Sequence, residues 1–242
     1  MDDIKSVAWF HIHASPQGLR IAFEQLSVLH NSGLWNSLDF LAIGLVGKEA
    51  KRGAADIKAH YPDRDIRIVI CQENEKEYEL PTLNALYLYS QKNPGIRVLY
   101  FHTKGTRPYK GPVPRMQNDW RRMMMYFLTY RCQDCWILLK KYLAVGLNLT
   151  TTRPCPIHFS GNFWWTWTDH ISKLYDLSSI SWTFNNRFFA EYWVCSRDPN
   201  KLCSIHNSNI DHYLYYYPVD KYINTRSMEC VFKGGNIVDI GT

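Results

Sequence analysis

The sequence predicts an α/β fold in which helices cover both faces of a mostly parallel central sheet. Short apolar runs alternate with amphipathic segments through the first hundred residues, and the runs have the length of strands. They are apolar at successive positions, as is typical of strands buried on both faces. With 242 residues, of which 46% are hydrophobic, the chain can bury a sizeable core. We expect a single domain over residues 1–242.

The predicted elements of the first half follow in chain order. They are a strand from Ser6 to His13, a helix with Leu19, Ala22, Phe23, Leu26 and Leu29 on one face and Gly33 after its end, a strand from Phe40 to Val46, a short helix over 56–59, a strand over 66–71, a helix that begins at Pro81 and ends before Pro94, and a strand that begins at Val98. Apolar positions three and four apart indicate the helices, and glycine or proline marks their ends.

The second half is less regular. Gly105, Pro108, Gly111, Pro112 and Pro114 predict an irregular loop over 103–114 that could close over a site. An amphipathic helix is predicted over 118–131, with Trp120, Met123, Met124, Phe127 and Leu128 as its buried stripe. From Pro154 the pattern becomes irregular and aromatic.

The positive charge is concentrated in one window. Residues 97–122 hold seven basic side chains and one acid, which accounts for the formal net charge of +6. A positive field at one loop and helix attracts a phosphorylated ligand. Together with an aromatic content of 15%, it also leaves open a module that binds single-stranded nucleic acid.

The cysteines and the N-terminus predict a cytoplasmic protein (host cytoplasm if the chain is viral). Seven cysteines are an odd number without framework spacing, the N-terminus has no secretory signal pattern, and no apolar run is long enough to span a bilayer. Cys132 and Cys135 have no second pair and are interpreted as ordinary thiols.

The end of the strand after Val98 is the first candidate site. His102, Lys104 and Gly105 follow the apolar run directly. Ligands of open α/β sheets collect where strands end, and a cation with a proton donor favours an anion such as a diphosphate.

Several blocks together resemble a glycosyltransferase family of the GT-A type from large algal DNA viruses and some bacteria. They are Glu79-Leu80-Pro81-Thr82-Leu83, Tyr100-Phe101-His102-Thr103-Lys104-Gly105, Asp119-Trp120-Arg121, His158-Phe159-Ser160-Gly161-Asn162-Phe163-Trp164-Trp165 and Glu191-Tyr192-Trp193. The resemblance implies a GT-A-like, Rossmann-like fold with a nucleotide-sugar-binding half over about 1–105 and an acceptor-binding half over about 106–242. It implies transfer from a UDP- or GDP-type sugar to a glycan or glycoprotein hydroxyl. We expect inversion of configuration at the sugar carbon, and we expect no nucleic-acid partner. A transferase-like module without activity stays an alternative.

The sequence departs from the GT-A pattern in its metal motif. Where such enzymes commonly place Asp-x-Asp, this chain has His102-Thr103-Lys104, and its only Asp-x-Asp, Asp63-Arg64-Asp65, is interpreted as a turn. No cofactor is therefore certain, and Mn²⁺ or Mg²⁺ stays possible, with His212 and nearby Asp211 as candidate ligands.

Basic groups are expected to meet the diphosphate. Lys104 supplies a point charge, His102 a hydrogen bond, and Arg107 or Lys110 closes from the loop. Gly105, His11 and Glu79 complete the donor site.

A carboxylate must accept the proton of the acceptor hydroxyl. Glu191 is the preferred base and Asp169 its rival, although Glu191 could instead pair with Arg187. The acceptor sugar is expected to contact the remaining site residues: Ser160, Gly161, Asn162, Phe163, Trp164 and Trp165.

Overall fold

A nine-stranded sheet runs through the computed structural model, which describes residues 4–106, 111, 113–151, 156–179, 188–234 and 236–240. The elements of the first half are β1 (Ser6–His13), α1 (Pro16–Asn31), β2 (Phe40–Val46), α2 (Ala50–His60), β3 (Ile66–Gln72), α3 (Leu80–Lys92) and β4 (Arg97–His102). Those of the second half are α4 (Val113–Met125), α5 (Cys132–Leu138), β5 (Ala144–Leu147), β6 (Leu149–Thr150), β7 (His158–Phe159), β8 (Trp164–Trp167), α6 (Thr168–Ile171), α7 (Phe189–Trp193), β9 (Leu202–His206), β10 (Cys230–Lys233) and β11 (Asn236–Asp239).

The strand order of the sheet is β11-β10-β9-β5-β8-β4-β1-β2-β3. Strands β4, β1, β2 and β3 are parallel, and β5 and β9 run the same way. Strands β8 and β10 run in the opposite direction to their neighbours. The predicted α/β class with a mostly parallel sheet is confirmed, and both halves of the chain contribute strands to that sheet.

Helices cover both faces, as the apolar strands require. Successive residues of β1 point to opposite sides, so that Phe10 packs in one core and Trp9 in the other. The core on the side of Phe10 includes side chains of α1, α2, α4 and α5. The opposite core includes those of α3, α6 and α7.

The first-half elements form close to where the pattern predicts them. β1 and β2 have the predicted bounds, whereas α2 begins at Ala50, earlier than the short helix expected over 56–59. The Asp63–Asp65 segment is a turn, in which Asp65 pairs with Arg67 at 2.7 Å.

The second half differs more from the prediction. Helix α4 begins at Val113, so Pro114 lies inside its first turn, where proline costs no hydrogen bond. The helix ends at Met125 and continues as a π-helical turn over Tyr126–Tyr130. Strands β5 to β11 were not predicted, because most are short and their packing partners are distant in sequence. No helix in the described ranges has both the length and the apolarity needed to cross a membrane.

Candidate functional site

Two adjoining clefts open at the carboxyl ends of the parallel strands. The strand-end cleft, of about 490 Å³, is lined by residues that include His11, His13, Glu79, His102 and Gln117. The loop cleft, of about 600 Å³, is lined by residues that include Trp120, Asn148, Ser160, Ser208 and His212. Within the described part of the chain, the residues that line both clefts are Lys104, Phe188, Glu191 and Tyr213. We call this shared set the junction.

Sheet register places His11 beside His102 at the strand-end cleft. The two residues are partners on the neighbouring strands β1 and β4. The Nδ1 atom of His11 lies 2.9 Å from Thr82 Oγ1 on α3. Burial, and next the neighbouring His102, hold the pKa of His11 well below its ordinary value, so this imidazole is neutral.

His102 is also neutral, and its ring proton is used within the protein. Burial, and next Lys104, lower its pKa to about 4. The Nε2 atom lies 2.9 Å from the Gly161 carbonyl oxygen, which can only accept, so Nε2 carries the proton and Nδ1 a lone pair. The expectation that His102 donates a hydrogen bond to a diphosphate is therefore wrong, because the single N–H of this tautomer is already bonded to the Gly161 carbonyl oxygen.

Glu79 is a largely buried carboxyl in the wall of the strand-end cleft, with its side chain 15% exposed. Its Oε2 accepts hydrogen bonds from the Tyr100 hydroxyl at 2.9 Å and from Asn162 Nδ2 at 2.8 Å. Its Oε1 lies 3.7 Å from His102 Nδ1. Burial raises the pKa of the Glu79 carboxyl, against the opposing effect of both hydrogen bonds and of Lys104. This carboxyl borders the cleft predicted for the donor.

The turn after β4 presents Lys104 at the junction. Arg121 Nη1 donates to the Lys104 carbonyl oxygen at 2.9 Å, and the same guanidinium pairs with Glu24 at 3.2 Å. The Lys104 Nζ lies 4.1 Å from the centroid of the Trp120 ring. No carboxylate among the described residues lies within salt-bridge distance of it. Gly105 follows with φ +89°, in the left-handed region. Lys104 and Gly105 thus lie where a donor site was predicted, and Arg107 and Lys110 fall outside the described residues.

The two candidate bases lie far apart. Glu191, on α7, is half-buried at the junction, and its charge acts on both His102 and Tyr100. Asp169 accepts a hydrogen bond from the Gly95 N–H at 2.6 Å, just before β4 begins, and lines neither cleft. Asp169 therefore lies at the opposite end of β4 from the clefts and is wrong as a rival base. Arg187, the suggested partner of Glu191, lies outside the described residues.

The predicted aromatic platform is buried instead of facing an acceptor. Phe163, Trp164 and Trp165 are at most 1% exposed and belong to the two cores. Asn162 is fully buried; its Nδ2 donates to Glu79, and its Oδ1 accepts from Trp164 Nε1 at 2.8 Å. These four residues cannot contact a sugar, because Trp164 and Trp165 lie on the buried strand β8 and the two residues before it are buried as well. Ser160 and Gly161, by contrast, line the loop cleft.

The loop cleft is built around Asn148 and His212. Asn148 Oδ1 accepts from the Ser208 N–H at 2.8 Å, and Asn148 Nδ2 lies 3.2 Å from His212 Nε2. The His212 ring stacks on Trp120 at 4.9 Å and 6°. The sequence indicated Trp120 only as part of the buried stripe of a helix, and Asn148 was not among the predicted site residues. Chain position alone could not show that the two share a cleft.

The GT-A resemblance implies a divalent metal, and the residues present do not fit one. The described residues contain no group of three or more metal-ligating side chains. His212 Nε2 is bonded to Asn148 and Ser208, and Asp211 Oδ1 accepts from the Tyr213 N–H. We derive no step through a metal ion.

The described basic side chains of the 97–122 window do not all share one surface. The Arg97 guanidinium lies 3.9 Å from the Trp136 ring centroid, at the amino end of β4, whereas Lys104 lies beyond the carboxyl end. Arg121 and Arg122 both pair with Glu24. The described charges therefore depart from a single focused field, because β4 separates Arg97 from Lys104 and Glu24 offsets one of the two arginine charges.

The chain belongs to the DUF8361 family, described as a domain of unknown function, whose model matches residues 10–186. No curated protein matches the sequence. Two crystal structures of 4-diphosphocytidyl-2C-methyl-D-erythritol synthase are similar. The one from Anaerococcus prevotii DSM 20548 is 16% identical, covering 92% of this chain and 96% of that chain, with a TM-score of 0.45. The other is 10% identical, covering 92% and 97%, with a TM-score of 0.41.

Proposed function

We propose that this protein is a glycosyltransferase that moves a sugar from a UDP- or GDP-type donor to a hydroxyl of a glycan or glycoprotein acceptor. The observation that carries the proposal is the pair of adjoining clefts with Lys104 and Glu191 at their junction. A transferase must bind two substrates side by side and place its charged groups where they meet. The sequence blocks that resemble those of GT-A enzymes support the same class.

In the proposed reaction the donor occupies the strand-end cleft. The bond between the sugar carbon and the phosphate oxygen breaks, and its electron pair leaves on the diphosphate. The Lys104 ammonium stabilises that negative charge from a fixed position. Glu79 Oε1 is available to accept a hydrogen bond from a donor hydroxyl, since its Oε2 already has two donors.

The acceptor occupies the loop cleft. Its hydroxyl oxygen attacks the sugar carbon from the side opposite the leaving diphosphate, and Glu191 takes the hydroxyl proton. One base and one displacement give inversion at the sugar carbon. Every step uses side chains of this chain.

Calorimetry with UDP and GDP, followed by assays of diphosphate release from a panel of UDP- and GDP-sugars in excess chelator, tests the proposal. We expect the protein to bind one of these two nucleoside diphosphates. We also expect it to release diphosphate from a donor sugar without Mn²⁺. If only single-stranded oligonucleotides stabilise the folded protein, the result would instead favour the module that binds nucleic acid. Diphosphate binding without turnover of any donor sugar would favour an inactive transferase-like module.

A further inference from the structure

The loop cleft is held in shape before any ligand arrives. Ser208 N–H and Ser208 Oγ lie 2.8 and 3.1 Å from Asn148 Oδ1, which anchors the segment 207–213 to the end of β5. The stacking of His212 on Trp120 fixes the other end of that segment. A preformed cleft of this kind binds a ligand without first ordering a loop.

Hydrogen bonds hold the Nε2 side of the His212 ring. The Ser208 backbone N–H can only donate, so Asn148 presents its oxygen to it and its amide nitrogen lies 3.2 Å from His212 Nε2. Ser208 Oγ lies 2.8 Å from the same Nε2, so Nδ1 is the ring nitrogen left for a ligand. Burial lowers the pKa of His212 to about 4, so the ring is neutral at pH 7.

Two buried ring nitrogens belong to side chains that line this cleft. Within the described residues, neither His212 Nδ1 nor Trp120 Nε1 has a hydrogen-bond partner, although both side chains are at least 96% buried. Buried polar groups normally find a hydrogen-bond partner. Hydroxyl groups both donate and accept, so a ligand rich in hydroxyls can serve an indole N–H and either form of the imidazole nitrogen.

The charges of the cleft favour an uncharged ligand. Away from the junction its described polar lining consists mainly of amides, hydroxyls and imidazoles, contributed by Asn148, His158, Ser160, Asn207, Ser208 and Asn209. The charged side chains that line it are Glu191, Asp211 and, at the junction, Lys104. The proposed reaction uses Lys104 for the donor diphosphate, so the two carboxylates would repel an anionic acceptor.

Exposed tyrosines continue from the cleft. Tyr213 lines it, and Tyr213, Tyr215 and Tyr216 are 44%, 59% and 43% exposed. The Arg115 guanidinium lies 4.9 Å from the Tyr216 ring centroid. Tyrosine rings combine an apolar face with a polar tip, which suits the faces and hydroxyls of pyranoses.

We propose that the loop cleft is a subsite for an uncharged oligosaccharide acceptor, whose terminal sugar lies among Asn148, Asn209 and His212 and whose next units extend along Tyr213–Tyr216. This rests on the proposed glycosyl transfer and narrows its acceptor class. Apart from Asn148, the residues expected to carry acceptor recognition thus belong to the segment 207–216, and the buried tryptophans of β8 only support the sheet.

An array of neutral oligosaccharides, uronate-containing oligosaccharides and single-stranded oligonucleotides tests the proposal with the full chain. The variants are Asn209→Gly and Tyr215→Ala, with Tyr175→Ala, another exposed tyrosine, as control. Asn209 has φ +56°, which glycine adopts freely, so this change removes the amide without strain. We expect binding to neutral oligosaccharides that falls at least fivefold in both variants and is unchanged in the control.

Binding of UDP and GDP is measured on the same samples, so the two proposals can fail separately. The wild type could bind neither UDP nor GDP while its glycan binding still depends on Asn209 and Tyr215. That result would overturn the proposed transferase activity but not the glycan subsite. The subsite is overturned if no neutral oligosaccharide binds, if only uronates or oligonucleotides bind, or if both variants bind as the control does.

Discussion

The Lys104 ammonium lies 4.1 Å from the centroid of the Trp120 ring, at the junction of the two clefts. The negative face of an indole attracts a cation without neutralising it, so the charge stays available to an anion. Arg121 holds the backbone of the same turn, which restricts where the ammonium can go. A basic side chain is thus fixed at the place where the proposed reaction develops negative charge.

Lys104→Met should lower kcat/KM for the donor by about 10²-fold, equivalent to roughly 3 kcal/mol of transition-state stabilisation. Steady-state kinetics with the best donor sugar measures this. Lys58→Met removes the same charge from the exposed side of α2 and should leave kcat/KM unchanged. Equal losses in both variants would mean that only the overall charge matters.

Glu191→Gln should reduce turnover by about 10²- to 10⁴-fold with the affinity for diphosphate preserved, because the amide cannot take the acceptor proton. Asp169→Asn is the matched control and should keep near-normal turnover, since Asp169 lies beside Gly95 and away from both clefts. Single-turnover assays separate chemistry from binding. The reverse pattern would show that the base is at the other end of β4.

Glu79→Ala should lower the free energy of unfolding by about 2 to 5 kcal/mol, because it leaves the Tyr100 hydroxyl and the Asn162 amide as buried, unpaired donors. Glu79→Gln keeps an oxygen that can accept from both and should cost under about 1 kcal/mol. Urea unfolding of the two variants measures the difference. Equal losses would show that the carboxyl charge, and not these two hydrogen bonds, stabilises the site.

Gly161→Ala should be clearly more destabilising than Gly33→Ala. Both glycines have positive φ, +98° and +77°, so both substitutions strain the backbone. At Gly161 the added Cβ would also lie 2.5 Å from Met124 Sδ, whereas nothing lies within 4 Å at Gly33. Thermal unfolding should show a Tm loss for Gly161→Ala that exceeds the control by the equivalent of at least ~1 kcal/mol. Equal Tm losses would mean that Met124 moves aside freely.

The free energy of unfolding should fall as the pH drops from about 6.5 to about 4. Burial lowers the pKa of His102, His206 and His212 to about 4, whereas in the unfolded chain they titrate near 6.5. Between these values the unfolded state binds more protons, so acid favours unfolding, by on the order of 3 kcal/mol per imidazole at the lower end.

His206→Gln tests this effect of acid. It removes one titrating ring and should flatten the dependence of unfolding free energy on pH. The control, His60→Gln at the exposed end of α2, should leave the slope unchanged. Denaturant unfolding at pH 7, 6, 5 and 4.5 gives both slopes. An unchanged slope in His206→Gln would assign the acid sensitivity to other groups.

Local sequence pattern was sufficient for the first half of the fold. β1 and β2 are continuous apolar runs bounded by polar residues, and such runs form strands wherever both faces are covered. The same pattern was misleading at β8, where an aromatic run read as a sugar platform is the buried centre of the sheet. Aromatic side chains suit a core and a binding surface equally well, so their type alone does not distinguish the two.

The sequence by itself determined the α/β class, the early strands and helices, and a cation just after β4. Each of these depends on periodicity or composition within a few neighbouring residues. Only the tertiary structure decided that Glu191, from α7, lines the same two clefts as Lys104, that Asp169 lines neither, and that Asn148 and His212 share a cleft. Glu191 and Lys104 are 87 positions apart in the chain, and packing across the sheet brings them to one site.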